Sequence, residues 1–191
     1  MIPARNRARG SVVLSAFALV AAVTVAGCAS GARTDTLQRY TSDRHGFTIE
    51  HPQSWRPVET DEGRRIWFLP TPPPQGETPE TSATEFIVVM ARAEPGPLPE
   101  NDVRRLAMSL LPMHGVSGFQ RTEASTAQVA WYRFELTGST RGREWASVGV
   151  LVTGAQRLLY TVCAAPLAEW RDRQKVCDRV LHSFTPGDLS K

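Results

Sequence analysis

From residue 45 to about residue 185 apolar and polar side chains alternate in short runs, the period-two pattern of strands. Phe47 to His51 predicts a first strand stopped by Pro52, and Arg65 to Leu69 a second stopped by Pro70. Glu85 to Ala93 predicts a third, and three or four more follow, at about 118–124, 128–137, 143–153 and 156–163. Several are apolar on both sides. Phe86, Val88 and Met90 oppose Ile87 and Val89; Ala130, Tyr132, Phe134 and Leu136 oppose Val129 and Trp131; Ala146, Val148, Val150 and Val152 oppose Trp145 and Leu151. Strands of that kind are covered on both faces. The pattern changes to a helical period at 100–111, where Val103, Leu106, Ala107 and Leu110 share a face, Asn101 or Asp102 caps the start, and Pro112 and Gly115 end it. A second helix is predicted after Pro166, with Leu167, Trp170, Cys177, Val180, Leu181 and Phe184 on one stripe. Gly138 to Gly142 and Gly154-Ala155 read as hairpin turns, so neighbouring strands are antiparallel. The fold class is therefore α+β: an antiparallel β-sheet flanked by helices, with a helix on each face or a helix on one face and loops on the other.

Outside that block the pattern differs. Arg5, Arg7 and Arg9 precede an apolar run, Val12 to Val25, which is shorter than the roughly 20 residues of a comfortable membrane span. A basic start followed by a short apolar run is the pattern of an export signal. The run closes in Val25-Ala26-Gly27-Cys28, which resembles the bacterial lipobox. That resemblance implies a signal peptide over 1–27, cleavage between Gly27 and Cys28, and a diacylglycerol thioether on Cys28, which with N-acylation gives stable anchoring. Cleavage after Ala29 or Ala32, or an uncleaved anchor, are the alternatives. Ala29 stands where an Asp would retain an enterobacterial lipoprotein in the inner membrane, so in a Gram-negative host the expected place is the periplasmic face of the outer membrane. Residues 28–44 read as the lipidated Cys and a flexible tether, with Tyr40 the one position that could pack on the fold. Residues 45–185 read as the domain and 186–191 as a tail. Residues 70–82, rich in Pro, read as an exposed loop without packed structure, including a P-x-x-P pattern from Pro70 to Pro73.

Composition changes the picture at one point. The chain has 191 residues, 41% hydrophobic, with a formal charge of +3, which suits one folded domain. A pI near 9.0 invites a nucleic-acid partner. The excess belongs to the three Arg of the signal: residues 28–191 carry 19 basic and 19 acidic side chains. No nucleic-acid partner is expected.

Little chemistry is visible in the spacing. Beyond Cys28 the cysteines are Cys163 and Cys177, an even pair in an exported chain. A bridge would close a loop of about 15 residues, worth roughly 3 kcal/mol in the chain-entropy model. A straight helix from Leu167 would carry Cys177 about 15 Å away, so the disulfide and a pair of buried free thiols both stay open. His45, His51, His114 and His182 form no metal-ligand spacing, and His51 and His182 read as surface or capping groups. No metal or cofactor is expected. Gly115-Val116-Ser117-Gly118-Phe119 lacks the spacing of a nucleophile elbow, and no phosphate loop is present. Arg171, Arg173 and Arg179 alternate with Glu169, Asp172 and Asp178, the pattern of a solvated, ion-paired face. Trp55, Trp67, Trp131, Trp145 and Trp170 read as core side chains, with Trp67 and Trp145 the interface candidates if exposed.

Two short stretches carry a family resemblance. Gly46-Phe47-Thr48-Ile49-Glu50-His51-Pro52-Gln53-Ser54-Trp55 resembles the opening motif of PsbP/Mog1-like domains, and Val180-Leu181-His182-Ser183-Phe184 resembles their closing helix. The resemblance covers about residues 40–185. It implies a PsbP/Mog1-like three-layer sandwich and brings no catalytic or ligand residues, since most such proteins are accessory factors. The resulting expectation is a lipid-anchored envelope protein acting as a non-enzymatic accessory or interaction module, with the membrane and an envelope protein as partners. The alternatives are a carrier or sensor of an apolar small molecule and a hydrolase with a dispersed site.

Overall fold

The computed structural model describes residues 35–94, 96, 98–110, 115–140 and 142–189. Residues 1–27, where a signal peptide is expected, including Gly27, and Cys28, Pro112, His114, Arg141 and Lys191 lie outside the described residues.

Ten strands and three helices are formed by these residues. β1 (Leu37–Ser42) and β2 (Phe47–Pro52) make a hairpin, followed by β3 (Arg56–Thr60), a 3-10 turn at Asp61–Gly63, and β4 (Arg65–Leu69). A single helical turn, α1 (Pro79–Ser82), precedes β5 (Phe86–Ala93) and α2 (Glu100–Leu110). β6 (Gly115–Arg121), β7 (Ala130–Thr140), β8 (Arg143–Thr153) and β9 (Arg157–Pro166) then form a meander. A 3-10 turn, Leu167–Glu169, leads into α3 (Trp170–Ser183), and β10 (Thr185–Pro186) closes the chain.

All pairing is antiparallel. The large sheet has the order β3-β4-β5-β9-β8-β7-β6, and a small sheet has the order β1-β2-β10. The two-sided strands explain the layering, because each large-sheet face buries its own core. One holds Phe86, Val88, Tyr132, Phe134, Leu136, Trp145 and Leu151 against Val103 and Ala107 of α2. The other holds Ile87, Val89, Val148, Val150 and Val152 against Cys177, Val180 and Leu181 of α3 and against Phe47 and Ile49 of the small sheet. The faces divide as the alternation predicts, and the fold is α+β with three layers.

Three expectations need correction. Residues 37–42 are a strand paired along its whole length with β2, so the stretch expected to be a flexible tether up to residue 44 is built into the sheet there. Its signal was weak because its side chains are half-buried rather than cleanly alternating. The tail from 186 is docked: Gly187 N–H donates to the Gly46 carbonyl, Ala155 N–H donates to the Leu189 carbonyl, and the Leu189 side chain is buried. The Pro-rich loop carries α1, whose N-terminus is closed by a capping box between Thr78 and Thr81 and whose Pro79 is buried. Trp67 and Trp145 are core side chains, as most of the tryptophans were expected to be, and both pack on Phe86, with ring centroids 5.1 and 5.8 Å from it.

Gly149 sits mid-strand in β8 directly opposite Phe134 of β7, and a Cβ there would overlap the Phe134 ring and lie 3.0 Å from the Thr161 carbonyl oxygen. The missing side chain is where the aromatic ring lies. Gly149→Ala is expected to destabilise the fold by about 1–3 kcal/mol, the usual cost of overpacking, read as a lower urea midpoint at unchanged slope.

Candidate functional site

The strand directions give the domain two ends. At the near end lie Asp35, the β2–β3 turn at 53–55, the α1 loop, the β7–β8 hairpin and the Leu167–Glu169 turn. At the far end lie the β1–β2 turn, the Asp61–Gly63 turn, the β8–β9 turn and the docked tail.

The cysteine pair belongs to the core between α3 and β9. Cys163 and Cys177 are joined by a disulfide with Cα atoms 5.4 Å apart, and both are buried. The straight-helix distance misleads because the strand retraces it. From Cys163 to Pro166 is about 10 Å of strand, and from Trp170 to Cys177 is about 10.5 Å of helix. The turn at 167–169 folds one back over the other.

Arg173 holds the near end together. Its Nε lies 2.7 Å from Glu85 Oε2, its second terminal nitrogen donates to Glu85 Oε1 at 2.9 Å, and its first reaches Asp35 Oδ2 at 3.4 Å. α3, β5 and the entry of the chain meet there. Burial pushes the Glu85 carboxyl above its ordinary range, Arg173 opposes that, and Glu169 and Asp35 reinforce it. Within the cation–anion alternation on α3, Arg173 is thus one member committed to a half-buried ion pair rather than to solvent.

His51 is buried, not a surface or capping group. Its ring stacks on Phe68 at 4.4 Å, its Nδ1–H donates to the Pro52 carbonyl at 3.0 Å, and Gln38 Nε2–H donates to its Nε2 at 3.3 Å. Both ring nitrogens are occupied, and burial pushes the imidazole below its ordinary pKa. His182 is exposed on α3, in a groove of about 520 Å³ with Glu50, Asp178 and Arg179. Among the described residues, no three His, Cys, Asp or Glu converge as a metal site would require.

The far end carries the least ordinary surface. Asp61 and Glu62 adopt φ of +52° and +58°, and Gly63 follows at +81°. Two successive side-chain-bearing residues in the left-handed region cost roughly 1–2 kcal/mol each. Neighbours hold the turn: His45 Nε2–H donates to the Gly63 carbonyl at 2.5 Å, and Arg65 reaches Asp61 Oδ2 at 3.2 Å. Beside it runs a groove of about 410 Å³ lined by Asp61, Arg64, Met90, Ala91, Arg92 and Ala93. Through Arg92 it adjoins a second, of about 440 Å³, reaching Asp102, Arg105 and Leu106 of α2. Neither groove contains His or Cys. Their cations and acids can make charged contacts with a partner. Nothing in the sequence singled out this surface, because its signal is a backbone conformation and not a residue type.

The fold is PsbP-like. The solution structure of cyanobacterial PsbP (CyanoP) from Synechocystis sp. PCC 6803 matches with a TM-score of 0.55 at 16% identity, over 84% of this chain and 98% of that one. A crystal structure from Bacteroides thetaiotaomicron VPI-5482 matches with a TM-score of 0.50 at 10% identity, over 79% of this chain and 48% of that one. LpqN, involved in cell envelope biogenesis of Mycobacterium tuberculosis, superposes with a TM-score of 0.45 at 16% identity, over 82% and 95%. No family model matches the sequence, and no curated protein matches it. At such identities the likeness is one of architecture.

Two outcomes test these sites. A group whose folded pKa is depressed below its unfolded value binds more protons when unfolded, so stability falls as pH drops below about 6.5. The stability lost through His51 therefore grows as pH falls below about 6.5 and levels off, without recovering, once the folded-state pKa is passed. In thermal melts from pH 7.5 to 5, His51→Phe is expected to flatten this decline; an unchanged decline would mean the ring is not held neutral. Glu62→Gly is expected to raise the urea midpoint, gaining up to about 1 kcal/mol from relieved strain. A lowered midpoint would show that the turn is not strained at this residue.

Proposed function

We propose that this chain is a lipid-anchored envelope protein whose domain is a non-enzymatic accessory module, docking another envelope protein through the far end. The supporting observation is the contrast between filled cores and open charged grooves. Val103 and Ala107 under α2, and Val180 under α3, are fully buried, so the contacts between helices and sheet are occupied by the protein's own side chains. That favours an interaction module over a carrier of apolar molecules. The charged grooves beside the strained turn are suited to a protein surface. Strain in a backbone that the surroundings hold in place is a feature of binding surfaces. Anchoring is supported by the basic start, the apolar run and Cys28. Among the described residues, no helix is long and apolar enough to cross a membrane. In a Gram-negative host, Ala29 favours the outer membrane, facing the periplasm.

Crosslinking in intact cells, followed by mass spectrometry, tests the reading. The expected result is a reproducible envelope protein crosslinked near Arg64 and Arg92, reduced at least fivefold by the double variant Arg64→Glu, Arg92→Glu. The intact mass should show acyl chains on Cys28, lost in Cys28→Ser. No reproducible partner, or one indifferent to the double variant, would refute the docking.

A further inference from the structure

We infer that the near end of the domain, centred on Leu167, rests on the lipid surface, so that the strands stand away from the membrane and the Asp61–Gly63 turn faces outward. This rests on the reading of Cys28 as the lipidated residue. Seven residues of chain lead from Cys28 to Asp35. Fully extended they reach at most about 25 Å, and as a flexible coil they span about 13–16 Å.

That reach cannot grow by unpeeling the fold. Arg173 reaches Asp35 at 3.4 Å, Gln53 N–H donates to the Thr36 carbonyl at 2.8 Å, and all six residues of β1 pair with β2. The eleven residues of β8 run about 37 Å from the near end to the far end. An inverted domain, with its far end on the lipid, would need a tether longer than the chain provides.

Between an upright domain and one lying on its side, the surface chemistry favours upright. Leu167 is 45% exposed, and among the described residues only Met108 is a comparably exposed large apolar side chain. Met108 belongs to α2, over the opposite sheet face from α3. Leu167 projects from the turn that joins β9 to α3, at the end where the tether enters. Arg171 lies four residues on, and Arg143 opens β8, two residues before the Trp145 that pairs with Pro166. Both arginines are exposed and flank an apolar tip, the arrangement that lets a side chain enter the headgroup layer while cations meet phosphates. Glu77, Glu80, Glu144, Glu169 and Asp172 are also exposed at this end, and with Arg56 they leave the acids outnumbering the cations among the described residues. Seating is therefore driven by the tether and Leu167 and not by bulk electrostatic attraction.

Hydrogen exchange on the full acylated protein tests this, in vesicles of 80% phosphatidylcholine and 20% phosphatidylglycerol, against the same protein in detergent. The expected result is exchange slowed at least fivefold over residues 167–171 and 142–145, unchanged over 61–64 and 154–157, and reversed by Leu167→Asp. Intact mass measured on the same sample separates the two readings. A mass without acyl chains overturns the anchor and the orientation with it. An acylated mass with protection elsewhere, or nowhere, overturns the orientation alone. Protection at 167–171 that appears only after envelope proteins are added to the vesicles also overturns it, and identifies a protein as the occupant of this end.

Discussion

Everything in this domain depends on strands that are apolar on both sides. β5, β8 and β9 lie together at the centre of the large sheet and expose no polar face to water. Each large side chain buried there contributes roughly 1.5–3 kcal/mol, so leaving either face open would be ruinous. One face is closed by α3 and the small sheet, the other by α2 and the Pro-rich connection. The helices bury only narrow stripes because covering the sheet is their structural task. The disulfide between Cys163 and Cys177 strengthens one cover where the helix leaves the strand.

The charged groups follow from the same layering. A helix laid over a sheet leaves a seam at its ends, and at the near end the seam holds Glu85, Arg173 and Asp35. Burying Glu85 is costly, and the guanidinium offsets that cost by facing both its oxygens. At the far end Arg157 plays a comparable part with neutral partners, donating to the His45 carbonyl at 3.1 Å and to the Asp188 carbonyl at 2.6 Å. The two ends of the sandwich are thus closed by arginines that each gather segments distant in sequence.

How much of this is legible in the sequence follows from the kind of signal each part carries. Alternation along 86–90, 130–136 and 145–152 assigned side chains to the correct faces, because burial on both sides leaves a plain pattern. β1 was missed because a strand over the seam between two layers has half-buried residues such as Leu37, Gln38 and Tyr40. His51 was misjudged because its neighbour Pro52 suggests a turn, whereas stacking on Phe68 and two hydrogen bonds make a core position for an imidazole. The disulfide stays undecided on sequence alone because a linear helix distance ignores the strand running back. The far-end turn was invisible, since Asp-Glu-Gly is an ordinary surface sequence and only φ angles mark it.

The pairing of β2 with β10 sets a kinetic condition. Thr48 lies opposite Thr185, and Glu50 N–H donates to Ser183 Oγ across 133 residues of chain. β5 likewise finds its inner neighbour only in β9, after α2 and a three-strand meander have intervened. Contacts so distant bring their reward after the entropy of closing long loops has been lost, which puts such topologies among the slower folders. On a ribosome, the first hairpin would emerge with neither its third strand nor its covering helix yet made. The domain is thus one that assembles after its last helix is synthesised, and until then its apolar strands depend on being kept apart.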